Sequence, residues 1–170
     1  MREAKRLFLS FLLLMSSCEL SHTPLLTQVL AAPEGVRIGA LAYAREYEKL
    51  GAVYEWGGQD PLPRTIAVDC SGLVIRCYQY SCEDVGLRLP FADTTAKELY
   101  ERYSLTVAPE PGDLVFMGDG EVSHVALFIR KDDSVVYLID STTLSGCVSE
   151  RQYPEGSSKI ISFGRMLVGR

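Results

Sequence analysis

Residues 69–86, DCSGLVIRCYQYSCEDVG, carry the strongest structural signal in the sequence. Asp69 is a natural N-cap and Gly86 a natural stop, so the segment predicts a helix over residues 70–85. Its buried face is expected to consist of apolar side chains at helical spacing: Leu73, Val74, Cys77 and Tyr78. The predicted helix therefore begins at a cysteine, Cys70.

The apolar residues recur at helical spacing before this helix and at strand spacing in the last third of the chain. Upstream, a helix is predicted over residues 36–50, ended by Gly51, with one face formed by Val36, Ala40, Tyr43, Tyr47 and Leu50. A loop rich in Gly and Pro follows over residues 54–68, and a short helix is predicted over residues 94–103. Downstream, strands are predicted over residues 113–117, 124–130, 134–140 and 160–168, with turns at 118–120 and 131–133.

This order of elements predicts an α+β domain in which N-terminal helices pack on a small antiparallel β-sheet. The length of 170 residues fits one domain, and a hydrophobic content of 47% allows a normal core. The net charge of −5 argues against a nucleic-acid partner, which would require a basic surface.

The first residues are typical of a secretory signal. A basic start with Arg2, Lys5 and Arg6 precedes a mostly apolar run over residues 7–15 and two small residues, Ser16 and Ser17. The apolar run is about half as long as a membrane span requires, so a signal peptide over residues 1–17 is expected. A short buried helix is the alternative, although no polar face interrupts the run.

Residues 14–18, LMSSC, resemble the processing box of bacterial lipoproteins, in which the cysteine carries lipid after cleavage. Met15 departs from the more usual Leu at its position, and ordinary secretion is the alternative. The resemblance implies that Cys18 is lipidated and that the protein is a lipid-anchored protein of the cell envelope. Residues 18–35 are then expected to form a tether, and residues 36–170 the catalytic domain.

Cys70 has two interpretations when its position is considered alone. The N-terminus of a helix favours negative charge, so a thiolate at this position suits a nucleophile. Gly72 in the first helical turn would let a substrate backbone approach closely. A buried core cysteine is the other interpretation, because free cysteines are commonly buried.

His124 is the better placed of the two histidines in the sequence, because His22 lies in the proposed tether. It opens an apolar strand directly after a Gly-rich turn, where it is either a catalytic base or a histidine at a strand edge. No metal or other cofactor is expected, because the five cysteines and two histidines never fall at the short spacings typical of zinc ligands.

Four segments, taken in order, resemble the NlpC/p60 family of cell-wall cysteine peptidases. They are residues 54–58 (YEWGG), 69–73 (DCSGL), 111–116 (PGDLVF) and 123–129 (SHVALFI). The resemblance implies a papain-like α+β fold and a metal-free endopeptidase that hydrolyses peptidoglycan stem peptides, often between D-γ-glutamate and a diamino acid. It also implies a role for each matching residue. Cys70 would be the nucleophile, His124 the base and Tyr54 a neighbour of the cysteine that positions substrate or stabilises the oxyanion.

The remaining matching positions are implied to line the substrate groove. Asp69, Ser71 and Ser123 have alternative roles as a helix cap and as turn residues, and Trp56 either packs against the Gly57–Gly58 loop or forms a wall of the groove. The family often has a histidine as its third polar residue, on the strand after the base. In this sequence Asp140 occupies that position, and a hairpin symmetric about residue 132 is predicted to place it directly opposite His124.

Several alternatives stay open at this point. The same Cys–His pair would serve an amidase or an acyltransferase, and a non-catalytic envelope lipoprotein that binds wall peptides is the alternative from another class. The protein is expected to act as a monomer. Cys70 is expected to be a free thiol, whereas pairing among Cys77, Cys82 and Cys147 is left undecided.

Overall fold

The structure, a computed structural model, describes residues 28–64 and 67–170. The described part contains three α-helices: α1 (Glu34–Lys49), α2 (Cys70–Glu83) and α3 (Ala96–Arg102). It also contains nine β-strands: β1 (Val29–Ala31), β2 (Val53–Tyr54), β3 (Ala67–Val68), β4 (Ser104–Thr106), β5 (Leu114–Met117), β6 (His124–Asp132), β7 (Val135–Thr142), β8 (Cys147–Pro154) and β9 (Ile160–Gly169).

The strands form one mainly antiparallel sheet in the order β1-β9-β5-β6-β7-β8-β2-β3, with β4 also paired to β9. The short β2–β3 pair is parallel. Helices α1 and α2 pack on this sheet, so the predicted α+β, papain-like architecture is confirmed. Helices α1 and α2 and strand β6 each begin within two residues of their predicted starts.

The two long helices pack closely and fix the position of Cys70. The hydroxyl of Ser81 on α2 donates a hydrogen bond to the carbonyl of Val36 on α1, at 2.7 Å. At the point of closest approach Gly39 faces Ser81, since a Cβ on Gly39 would lie 2.2 Å from the Ser81 Oγ. The predicted buried face of α2 is confirmed, because all four of its side chains are fully buried: Leu73, Val74, Cys77 and Tyr78.

Several regions differ from the sequence prediction, and the short strands β2, β3 and β4 were not predicted. Leu50 was expected on the buried face of α1, but it follows the last helical turn and is exposed. Strand β1 and the start of α1 lie within the range predicted as a tether, because the backbone of Val29–Ala31 completes the edge of the sheet beside β9. Strand β8 was missed, since its alternating exposed residues, such as Glu150 and Gln152, provide little apolar signal.

The hairpin of β6 and β7 determines which side chains meet near its open end. The turn is formed by residues 133 and 134, and Asp132 pairs with Val135. A bulge between Phe128 and Arg130 then shifts the register by one residue, so that Leu127 pairs with Ile139. Continued by one pair, this register places Asp140 opposite Ala126, two residues from His124 on the same face.

A buried ionic cluster anchors the start of β5 to α1. Asp113 is fully buried and accepts two hydrogen bonds from the Arg165 guanidinium, at 2.9 and 2.8 Å. Arg37 on α1 lies 3.6 Å from Asp113 and 2.8 Å from Glu110. The preceding Gly112 has a φ of +85° and lies against the Arg37 carbonyl, which leaves no room for a Cβ.

Candidate active site

Cys70 is the first residue of α2 and is partly exposed at the bottom of a cleft. Asp69 caps the helix, because its Oδ1 accepts a hydrogen bond from the Gly72 N–H at 2.6 Å. The backbone donors of a first helical turn have no partner within the helix, and they create a positive potential at the cysteine. The predicted location of Cys70 at a helix N-terminus is therefore confirmed.

The capping residue also holds the neighbouring loop in place. The Gly57 N–H donates to Asp69 Oδ2 at 3.0 Å, and the Asp69 N–H donates to the Gly58 carbonyl at 2.9 Å. A Cβ on Gly72 would lie 2.2 Å from the Gly58 oxygen. The expectation that Gly72 leaves room for a substrate backbone was therefore wrong, because the protein's own loop fills that space.

His124, at the start of β6, is held by Asp140 on β7. The His124 Nε2 lies 2.7 Å from Asp140 Oδ2, and the Asp140 side chain is completely buried. The structure thus brings together the pair expected from the sequence, although not by the expected route. The two residues are diagonal neighbours across the bulged hairpin, a separation that a long side chain can bridge, and not a directly opposed pair.

The pKa of His124 reflects opposing effects of this environment. Burial alone lowers the pKa, but the hydrogen bond with Asp140 and the interactions with Cys70 outweigh it and raise the pKa to about 9. Since Nε2 is occupied by Asp140, Nδ1 is the ring nitrogen that remains for the Cys70 sulfur. A protonated His124 is thus held beside Cys70, and a neighbouring cation of this kind activates a cysteine nucleophile.

Arg151 on β8 lies behind the aspartate and was not identified from the sequence. Its guanidinium is 3.7 Å from Asp140 Oδ2, and its side chain is mostly buried. The other carboxylate oxygen, Asp140 Oδ1, is buried without a hydrogen-bond partner. His124 and Arg151 therefore both lie next to Oδ2, whereas Oδ1 accepts no hydrogen bond.

The cleft in front of Cys70 has a volume of about 590 Å³ and contains all the residues predicted to line a groove: Tyr54, Trp56, Asp69, Ser71 and Ser123. The pKa of Tyr54 is raised by burial and by the nearby Cys70 and Asp69, so its hydroxyl stays protonated and able to donate. Trp56 is 87% exposed, which contradicts the alternative that it packs against the Gly57–Gly58 loop. Ser71 donates to Asp69 Oδ1 at 3.1 Å and thus supports the cap.

The opposite wall of the cleft was missed by the sequence analysis. It consists of residues 93–98, around the start of α3. Gln59 Nε2 donates to Asp93 Oδ1 at 2.7 Å, which ties the two walls together. Thr95 and Glu98 form a reciprocal capping box, a T-x-x-E pattern that signals a helix start but gives no indication that the helix borders a cleft.

Four cysteines lie in the described residues, and all of them are free thiols: Cys70, Cys77, Cys82 and Cys147. Within residues 28–64 and 67–170, no group of three or more histidine, cysteine or acidic side chains is arranged to hold a metal ion. In the same ranges, no helix combines the length and the apolar character that crossing a membrane requires. Cys18, the predicted signal peptide over residues 1–17 and most of the predicted tether lie outside the described residues.

A thiol at a helix start, a histidine at the start of an adjacent strand and a buried aspartate behind it define a papain-like α+β protein with a Cys–His–Asp site. The NlpC/P60 family model matches residues 51–159, which is more than half of the chain. The chain belongs to the NlpC/P60 family, and the resemblance seen in its four sequence segments is confirmed.

Solved structures support the same fold. The crystal structure of Ly7917 aligns with a TM-score of 0.51 at 13% identity, covering 76% of this chain and 62% of that one. Ly7917 with the hydrolyzing product of MDP aligns equally well, at 12% identity. The chain therefore spans somewhat less than two thirds of these neighbours. No curated protein sequence matches the chain significantly.

Proposed function

We propose that the protein is a peptidoglycan hydrolase that acts as a cysteine endopeptidase on stem peptides, at the bond between D-γ-glutamate and a diamino acid. The observation that carries the proposal is the alignment of Cys70, His124 and Asp140 beside an open cleft in a member of the NlpC/P60 family. A binding protein without catalytic activity would have no use for a buried aspartate that holds the histidine beside the cysteine.

In the first half of the reaction, the Cys70 thiolate attacks the carbonyl carbon of the scissile amide and the carbonyl π electrons move to oxygen. The Cys70 backbone N–H and the Tyr54 hydroxyl are the donors available for that oxyanion. The protonated His124 then gives its proton to the amide nitrogen. The C–N bond breaks, the amine leaves, and a thioester with Cys70 remains.

In the second half, neutral His124 accepts a proton from a water molecule whose oxygen attacks the thioester carbonyl. The C–S bond breaks, the carboxylic acid product leaves, and the thiolate–imidazolium pair is restored. One water is consumed for each amide bond cleaved. Asp140 fixes the ring orientation through Nε2 and stabilises the imidazolium, so that Nδ1 carries the transferred proton in both halves.

Digestion of purified muropeptides, followed by mass spectrometry of the products, tests this proposal. The expected products are a fragment ending in D-glutamate with a free γ-carboxylate and a fragment beginning with the diamino acid. Release of an intact stem peptide from its sugar would instead identify an amidase, and a product carrying a new amide without gain of water would identify an acyltransferase. Either outcome would overturn the endopeptidase assignment, as would intact substrate after prolonged incubation.

We further propose that the protein is exported, anchored in the cell envelope through lipid on Cys18, and active as a monomer. The basic-apolar-small pattern over residues 1–17 and the LMSSC box support the anchor. Two acyl chains would be sufficient for stable anchoring. Cells grown with a fatty-acid analogue should label the wild type, and Cys18→Ser should abolish the label and release the protein from membranes. An unlabelled wild type in the soluble fraction would contradict the anchor.

A further inference from the structure

The cleft in front of Cys70 has a neighbour on the α3 side. A second hollow of about 280 Å³ adjoins it, lined by Tyr100, Gly120, Glu121 and Ile161 among others. Lys97 and Val122 line both hollows, so they form the ridge between them. A peptide bound across Cys70 and extending in this direction would therefore pass over Lys97.

The charges along this path are uneven. Five acidic residues line the two hollows: Asp69, Asp93, Glu98, Glu101 and Glu121. Among the described residues lining them, Lys97 alone carries a permanent positive charge. Away from the positive potential at Cys70, a negatively charged group of a substrate meets acidic side chains along the path and is attracted at Lys97, so the position of that group is restricted.

The present partners of Lys97 hold it weakly. Its Nζ lies 3.8 Å from Glu121 and 4.0 Å from Glu101, and all three side chains are about half exposed or more. Exposed ion pairs at such distances contribute little to stability. Lys97 can therefore exchange these carboxylates for a substrate carboxylate at a small cost in free energy. Its side chain lies on the ridge between the two hollows in either case.

We propose that Lys97 binds a free carboxylate of the stem peptide and makes the enzyme selective for substrates in which that group is not amidated. This inference rests on the proposed function, because a γ-linked glutamate leaves its own α-carboxylate free beside the scissile bond. The diamino acid supplies a second possible carboxylate. In either case the recognised group is a carboxylate, and conversion to a carboxamide removes the charge with almost no change in shape.

Steady-state kinetics on three matched muropeptides tests the inference. One substrate carries both free carboxylates, one is amidated only at the glutamate, and one only at the diamino acid. The wild type is expected to cleave one of the amidated substrates with a kcat/KM about fivefold lower, mainly through KM, which identifies the carboxylate that is bound. The preference should weaken at high salt.

The variant Lys97→Met should cleave that amidated substrate and the free substrate with equal kcat/KM, whereas Lys97→Arg should retain the preference. Lys131→Met is a matched control, because Lys131 pairs with Glu155 at the far end of the β6–β7 hairpin. It should leave both the rate and the preference unchanged.

An equal preference in the wild type and in Lys97→Met would overturn the inference, and so would a wild type that does not discriminate among the three substrates. Both outcomes leave the proposed function intact, because cleavage at the γ-glutamyl bond is still observed. If none of the three substrates is cleaved, the proposed function itself fails and the inference fails with it.

Discussion

Among the residues that the structure describes, two aspartates are completely buried, and both lie beside arginine, yet their environments differ in one respect. Asp113 has both oxygens hydrogen-bonded to Arg165, with Arg37 close by. Asp140 has one oxygen shared between His124 and Arg151 and the other without a hydrogen-bond partner. A carboxylate with both oxygens hydrogen-bonded acts as a structural anchor. A carboxylate with one unpaired oxygen beside a histidine can change its interactions when the charge on that histidine changes.

The comparison implies that the site and the anchor respond to mutation in opposite ways. Substitutions in the site should lower the activity of each folded molecule, whereas substitutions in the Asp113 cluster should lower stability and leave that activity normal. Four substitutions, at Cys70, Asp140, Asp113 and Arg151, test this separation.

The largest effect is expected for Cys70→Ala. Without the sulfur there is no nucleophile for the amide carbonyl, so muropeptide cleavage should fall below detection, by at least about 10⁴-fold. The melting temperature should stay close to that of the wild type, because Cys70 is partly exposed at a helix start. Cys147→Ala, which removes another partly buried thiol, should retain full activity. Wild-type turnover by the Cys70 variant would show that the nucleophile lies elsewhere.

The next largest effect is expected for Asp140→Ala. Loss of the carboxylate frees the imidazole ring and removes the charge that stabilises the imidazolium, so kcat should fall roughly 10³-fold while the remaining Cys–His pair still acts. Asp140→Asn should retain part of the activity, because an amide oxygen still accepts from Nε2. Both rates should be compared with the folded fraction measured by circular dichroism. An active Asp140→Ala would mean that His124 has another positioning partner or needs none.

Cys70 and Asp140 differ in how much of their position could be predicted from the sequence. Cys70 and the first turn of α2 were predictable, because a cap, a glycine and an apolar face are local signals. The meeting of His124 and Asp140 was predicted from a hairpin symmetric about residue 132, whereas the hairpin turns at residues 133 and 134. The contact was right because the bulge leaves the two residues diagonal on one face. A bulge of one residue has no reliable local signature, since it depends on how both neighbouring strands pair.

Arg151 and the α3 wall of the cleft were missed for a related reason. Arg151 lies on β8, a strand with alternating exposed polar residues that has few apolar positions to reveal it. The residues at the start of α3 border the cleft only because Gln59 and the loop before α2 lie opposite them in three dimensions. Both cases depend on contacts between residues far apart in the sequence, so the residue spacing within a short segment cannot predict them.

A third prediction concerns Asp113, the aspartate with both oxygens hydrogen-bonded. Asp113→Asn removes a buried charge that compensates two arginines, so the free energy of unfolding in urea should fall by about 3–5 kcal/mol. Asp119→Asn is the matched control, because Asp119 forms an exposed ion pair with Lys159 and should change stability by less than about 1 kcal/mol. Activity per folded molecule should be normal in both variants. A stable but inactive Asp113→Asn would assign this cluster to catalysis and remove the contrast with Asp140.

The smallest effect, and the most specific, is expected for Arg151→Met. In the wild type the active ion pair needs a protonated His124, so kcat/KM should decline as the pH rises through the His124 pKa of about 9. Arg151 places a positive charge beside Asp140, and this charge opposes the imidazolium. Its removal leaves Asp140 with only His124 as a cationic partner, so the imidazolium should hold its proton more tightly. The alkaline limb of the pH profile should then move upward, by on the order of one pH unit.

The same change should slow the second half of the reaction at neutral pH, because a larger fraction of the thioester intermediate would hold His124 in its protonated form, which cannot accept a proton from water. Burst kinetics with a chromogenic substrate would then show a larger burst followed by a slower steady state. Arg151→Lys restores the charge and should return the limb towards its original position, a rescue that a purely structural role for the arginine does not produce. If the limb stays in place or moves downward in Arg151→Met, then Arg151 does not act on the His124–Asp140 pair, and the incomplete satisfaction of Asp140 has no effect on proton transfer.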